Sequence, residues 1–198
     1  VQNPSGNADM NNTAVGYRAG YATTTGTENT FIGENAGASN TTASYNTAVG
    51  RIALDANTTG DNNVAVGRNA LGANTTASQN IAIGSGAGAV ITTGANNTIV
   101  GYVAGDATTT GAQNTALGSS ALGGNTTASN NVAIGYNTLT LNTTAAQNTA
   151  IGAYAGDAIT TSPSNTLIGH AAGSEITTGV GENVCIGNYA GWKMTTGA

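Results

Sequence analysis

Charge is what this chain has least of. Only 7% of its 198 residues are Asp, Glu, Lys or Arg, and four basic against nine acidic residues leave a formal net charge of −5. Four basic residues cannot line a phosphate backbone, which excludes nucleic acid as a partner. The lone Cys185 allows no internal disulfide. No apolar run approaches the ~20 residues of a membrane-spanning helix, so no membrane insertion is expected of this segment. There is a single histidine, His170, and no Ser-His-Asp set is expected around it. There are 30 glycines, but they do not fall at every third position, which excludes collagen. Nor is this a disordered composition, since the net charge is small and the apolar residues stand at fixed places.

Those fixed places are the main content of the sequence. The phrase Asn12-Thr13-Ala14-Val15-Gly16 recurs with Asn at 29, 46, 63, 80, 97, 114, 131, 148 and 165, always 17 residues on. An eleventh copy starts at Asn183, displaced by one residue inserted in Gly179-Val180-Gly181-Glu182. Self-similarity at a short fixed period implies a stacked, quasi-one-dimensional rod rather than a globule built around a pocket. Residues 1–11 read as a partial repeat or leader and 12–198 as one repeat array, cut from a longer fibre.

Each repeat reads as one coil. The third residue after Asn is always a large aliphatic one (Val15, Ile32, Val49, through to Ile186), and this constancy assigns it to a core. The residue two earlier (Thr13, Val64, Ile81) should share that face, with the intervening Ala on the opposite side. A glycine closes the phrase in every copy, which points to positive φ or to a backbone approach that a Cβ would block. The following corner carries Ala-Gly or a Leu: Gly20, Gly37, Leu54, Leu71, Gly88, Gly105, Leu122, Leu139. Phe31, Ile99 and Leu167 keep the same four-repeat rhythm, as matched volumes along a narrow core would.

A Thr pair follows (Thr24-Thr25, Thr41-Thr42 and so on), and branched Cβ atoms favour extended backbone there. Two or three short strands per coil make a β-solenoid. Coils about 4.8 Å apart would give a rod of roughly 50 Å. The invariant Asn should form a ladder of side-chain hydrogen bonds along the rod. One Val or Ile with an Ala or Leu is a thin apolar supply for each coil. Ile52, Leu54, Leu71, Leu122, Leu139 and Leu141 also need cover, so several chains are expected to associate side by side.

The phrases Asn131-Val132-Ala133-Ile134-Gly135 and Asn148-Thr149-Ala150-Ile151-Gly152 resemble the head repeats of trimeric autotransporter adhesins. The longer unit beginning Asn29-Thr30-Phe31-Ile32-Gly33-Glu34-Asn35-Ala36-Gly37 is similar to repeats of phage-type tail-fibre proteins. The resemblance implies an all-β, left-handed, homotrimeric β-roll of about eleven 17-residue coils. It also implies an extracellular place on a cell or virion surface, and a structural or adhesive task towards a receptor or glycan it does not specify. The adhesin repeat is shorter than this one, so the coil shape is expected to differ.

No catalytic, cofactor-binding or metal-binding residue is expected. His170 has Tyr17, Glu34, Arg51 and Tyr102 as its equivalents, a variable and hence exposed position. Cys185 stands where other copies carry Ala and reads as a small buried hydrophobe. Asp55, Asp106 and Asp157 recur too sparsely for a calcium-binding β-roll, which leaves an inter-chain ion as a minor alternative. The Asn-x-Thr triplets at Asn40, Asn57, Asn74, Asn125 and Asn142 read as by-products of the repeat rather than glycosylation sites. The rival function is ice binding by stacked Thr rows. It is weakened because adjacent Thr residues cannot both face outward.

Overall fold

The computed structural model describes residues 10–196. Most of the expected leader, residues 1–9, and the last two residues of the array lie outside the described residues. The rest is a β-solenoid of about ten turns. Eleven three-residue strands, from β1 (Thr13–Val15) to β11 (Val184–Ile186), form one parallel sheet in chain order. Equivalent residues pair without slippage: Thr13 with Thr30, Ala14 with Phe31, Val15 with Ile32. The inserted residue does not disturb this, since Val180 is thrown out to solvent at 74% exposure while Ile186 still pairs with Ile168.

Each coil contributes one strand, not two or three. The Thr pair is a bend. It is nonetheless laddered: Thr24 N–H donates to the Thr41 carbonyl at 2.9 Å, and the Thr24 hydroxyl donates to the same oxygen at 3.1 Å. The first hydroxyl of the pair repeats this bond at every later coil, through Thr160 to Thr177 at 3.0 Å. The second Thr of each pair faces solvent, from Thr42 to Thr178.

Left-handed backbone supplies the corners. Gly16 has φ +128°, and a Cβ there would stand 2.6 Å from the Gly33 carbonyl oxygen of the next coil. Both expected reasons for that glycine therefore hold together. Two residues further on, every coil again takes positive φ, whatever residue is present: Asn35, Asn69 and Asn137, but also the β-branched Ile52 at 51° and Val103 at 45°. Asn tolerates this region well and β-branched residues tolerate it poorly.

The orientation of the strand is the reverse of that expected. Ala48, Ala65, Ala82, Ala116, Ala133 and Ala150, the middle residues, are fully buried, and so are Phe31, Ile99 and Leu167. Val15 is 57% exposed and Ile186 66%, and the aliphatics between them are half-buried to exposed. The interior is narrow, and three walls close on it: the strand centre, the corner after Ala, and the residue before the Thr pair. Alanine fits the strand wall, whereas constant Val or Ile would overfill it. Leu54, Leu71, Leu122 and Leu139, expected to seek a partner chain, are buried in this chain's own core. Ile52 is half-buried at its corner and Leu141 stays out, at 55%.

Most layers hold one large apolar side chain, and the walls take turns in supplying it, although the tenth coil buries both Leu167 and Ile176. With Ala on the strand, the corner gives Leu54, Leu71, Leu122 or Leu139, or the third wall gives Ile91 or Ile159. Where the strand gives Ile99, both nearby corners are glycine. A Cβ on Gly105 would stand 2.9 Å from Ile99 Cδ1, and one on Gly88, a coil earlier, 3.4 Å from it. Leu167 is seated likewise on Gly156 and Gly173, at 2.7 Å from each added Cβ. The four-repeat rhythm is thus a seating rule, with one large strand residue on two glycines.

Two stability predictions follow from this geometry, both read by thermal or urea unfolding. Gly105→Leu overpacks the core by about 1–3 kcal/mol, and Ile99→Ala opens a cavity costing about 2–5 kcal/mol. The double variant reproduces the Ala116/Leu122 layer of the next coil and is more stable than either single variant. Independently, Val103→Asn relieves left-handed strain and stabilises the rod by about 1 kcal/mol.

Candidate interaction surface

The outer face of the sheet is the largest regular surface of the rod. It carries the first and third residues of each strand. All of them are Thr, Val, Ile or Leu, with no charged side chain. One column runs Thr13, Thr30, Thr47, Val64, Ile81, Thr98, Thr115, Val132, Thr149, Thr166, Val184, and beside it stand the aliphatics Val15 to Ile186. Strands about 10 Å long stacked over about 50 Å give a strip on the order of 500 Å². Its apolar part is mainly the aliphatic column, since seven of the eleven residues in the first column are Thr.

Behind this face, the expected Asn ladder runs the whole rod. The Oδ1 of Asn12 accepts from the backbone N–H of Asn29 at 2.7 Å, that of Asn29 from Asn46 at 2.9 Å, and so on. The same bond recurs to the top, where Asn165 Oδ1 accepts from Asn183 N–H at 3.2 Å. The Nδ2 groups of Asn29, Asn46, Asn63, Asn80, Asn97 and Asn114 each donate at 2.9–3.0 Å to the carbonyl that follows their own coil's Thr pair, closing the coil on itself. Asn29 through Asn165 are essentially fully buried. These amides hold the rod together and are not open to a ligand.

A second buried amide column escaped the sequence reading. Asn40, Asn57, Asn74, Asn125 and Asn142 are fully buried. Asn57 donates to Asn40 Oδ1 at 3.2 Å and to the Gly60 carbonyl at 2.9 Å, and Asn74 donates to Asn57 Oδ1 at 3.2 Å. Their Asn-x-Thr triplets therefore offer no side chain to a glycosylating enzyme. The missed signal was present: Asn there accompanies every corner Leu and gives way to Ile91 and Ile159 beside a corner Gly and a strand Ala.

Among the described residues no three His, Cys, Asp or Glu side chains gather as metal ligands would. Cys185 is buried at its strand centre with Sγ 4.0 Å from Met194 Sδ, and burial raises its thiol pKa. His170 is exposed between Tyr154 and Tyr189. Glu34 and Arg51 form an exposed ion pair at 3.3 Å, worth little in water. Asp55, Asp106 and Asp157 recur at one corner, where partial burial raises each carboxyl above its ordinary value against the opposing pull of backbone hydrogen bonds. No family model, curated protein or solved structure matches the chain.

The ladder and the acidic corner each predict a measurable effect. Asn97→Ala strips the Asn114 N–H and the Gly111 carbonyl of their buried partner and should cost about 3 kcal/mol or more in urea unfolding. Thr110→Ala, on the exposed bend, should stay within about 0.5 kcal/mol. For the three Asp residues the folded state holds the proton more tightly than the unfolded chain. Stability is therefore greatest at low pH and falls as pH rises from the ordinary value of 3.8 through the raised one. Replacing all three with Asn should raise the melting temperature at neutral pH and flatten that slope.

Proposed function

We propose that this chain is a structural and adhesive segment of an extracellular fibre, on a bacterial cell or a virion, in which three copies associate as a left-handed homotrimeric β-roll. The observation carrying this reading is the outer sheet face. Parallel sheets are found almost only with both faces covered, and here one face is covered by the chain itself while the other is uniformly Thr, Val, Ile and Leu. The interior does not require those aliphatics outside, yet every copy carries one. A neighbouring chain that packs on them explains their constancy. The straight register and the near absence of charge suit a rod that spaces or presents a binding surface. The repeat residues shared with adhesin heads and tail fibres point the same way.

One observation favours a second reading. Seven of the eleven strands open with Thr, which sets a Thr-rich column beside the aliphatic one on that same face. These columns make a better ice-binding array than the Thr pairs, which are bends with the second Thr facing solvent.

Native mass spectrometry and thermal hysteresis on the purified chain distinguish the two. A trimer that becomes monomeric in the Ile83→Lys/Val100→Lys variant, with its β-type circular dichroism intact, supports the fibre. A monomer without hysteresis overturns it. A monomer with hysteresis, lost in Thr98→Lys/Thr115→Lys, establishes ice binding instead.

A further inference from the structure

We propose that the last four coils carry a binding site for an extended, neutral polysaccharide, formed by a row of aromatic rings that climbs the rod at one corner. Tyr136 meets Tyr154 edge-to-face with centroids 5.4 Å apart, Tyr154 meets His170 at 6.0 Å, His170 meets Tyr189 at 5.2 Å, and Tyr189 meets Trp192 at 6.3 Å. All five side chains are exposed. Four of the chain's eight Tyr and Trp residues are gathered here. An open cleft of about 370 Å³ lies between Tyr189 and Trp192 at the top of the row. Lys193 Nζ stands 4.7 Å from the centre of the Trp192 ring.

The fold does not require these rings. The position of Tyr136 and His170 is Tyr in two other coils (Tyr17 and Tyr102) but Glu34, Arg51, Arg68, Ser85 or Ser119 elsewhere, and that of Tyr154 and Tyr189 varies from Asn35 and Ser120 to Ile52 and Val103. Those coils close with the same hydrogen bonds: Tyr154 N–H donates to the Tyr136 carbonyl at 2.9 Å, and Ser120 N–H to the Tyr102 carbonyl at 3.0 Å. Rings that the coil does not need, exposed and in contact with one another, are free to serve a ligand.

Tyr and Trp combine a flat apolar body with a polar tip and lose little entropy on binding. Such rings stack on the C–H face of a pyranose while their hydroxyl and N–H groups reach its hydroxyls. Neighbouring rings stand at 73–86° to one another, so one ligand meets the faces of alternate rings, and two coils rise about 10 Å, close to the repeat of two sugars along an extended polysaccharide. Nucleobases would stack equally well. A chain with four basic residues and a net charge of −5 would repel their phosphates, whereas a neutral polymer meets no such barrier.

This inference deepens the adhesive reading, and the two can fail separately. The test is affinity electrophoresis of the full chain in gels containing dextran, mannan, xylan, hydroxyethylcellulose or mixed-linkage β-glucan. Emission of Trp192, the single tryptophan, is followed in solution with the same polymers. At least one polymer should retard the chain and shift the emission. Tyr154→Ser and Tyr189→Ser should each weaken binding by about tenfold, while Tyr102→Ser, outside the row, should change nothing. Ser120 and Ala38 occupy the equivalent positions in other coils, so Tyr154→Ser/Tyr189→Ser/Trp192→Ala should fold, as circular dichroism and native mass would verify. No retardation by any of the polymers would overturn the proposal. So would retardation that survives in the triple variant. Retardation of a monomeric wild type would uphold the sugar site and sink the trimer.

Discussion

Everything in this rod depends on coil-to-coil register, and the buried asparagine that opens each repeat is what locks it. The Asn Oδ1 takes the backbone N–H of the next Asn, so the side chain of one coil is spent on the main chain of the following one. The Nδ2 group then ties the same residue across its own coil. A slip of one residue would leave these buried groups without partners all along the stack, at about 1–3 kcal/mol each. The period can therefore tolerate an insertion only where it escapes to solvent, as at Val180.

Register fixed in this way makes the interior a stack of layers rather than a continuous core. Each layer has three walls and most have room for one large side chain, so Phe31, Leu54, Ile91 and Ile99 enter from different walls in different coils. Glycine supplies what no other residue can in two places. At the strand end it brings the backbones of successive coils within reach, and at the corner it clears the space under Ile99 and Leu167. The remaining fit is local, and the left-handed Ile52 and Val103 show that the coil imposes its shape even on residues that resist it.

The architecture was legible from the period alone: an all-β solenoid with one coil per repeat, a glycine corner and an asparagine ladder. The facing of the strand was not. Alternation tells which residues share a face but not which face is inside, and constancy misled, because Val15 and its equivalents are constant for a reason other than filling this chain's core. The width of the interior decides the matter, and width depends on Ala36, Gly37 and Asn40 approaching from other parts of the coil. Asn40 and its equivalents were hidden for a related cause, since a polar residue before a Thr pair looks like a turn until its burial is known. The aromatic row was invisible as well. Tyr136, Tyr154, His170 and Tyr189 lie at irregular sequence spacings on two adjacent columns, and only the stacking of coils brings them into contact.

The two halves of the rod's surface divide accordingly. One side is a flat, uncharged sheet, repeated without interruption and suited to a partner that is itself regular. The corner beside it varies from coil to coil and can hold residues chosen for contact rather than for fold. On the proposed reading, association and recognition fall on different columns of one 17-residue unit.

Hydrogen exchange at the ladder amides tests the account most directly. The N–H groups of Asn46, Asn63, Asn80, Asn97, Asn114 and Asn131 lie outside the strands, and each donates to the Asn Oδ1 one coil away. They should exchange as slowly as the strand amides beside them, and Asn97→Ala should speed exchange at Asn114 first. Ladder amides that exchange as fast as those of the exposed bends would contradict the claim that this asparagine sets the register of the rod.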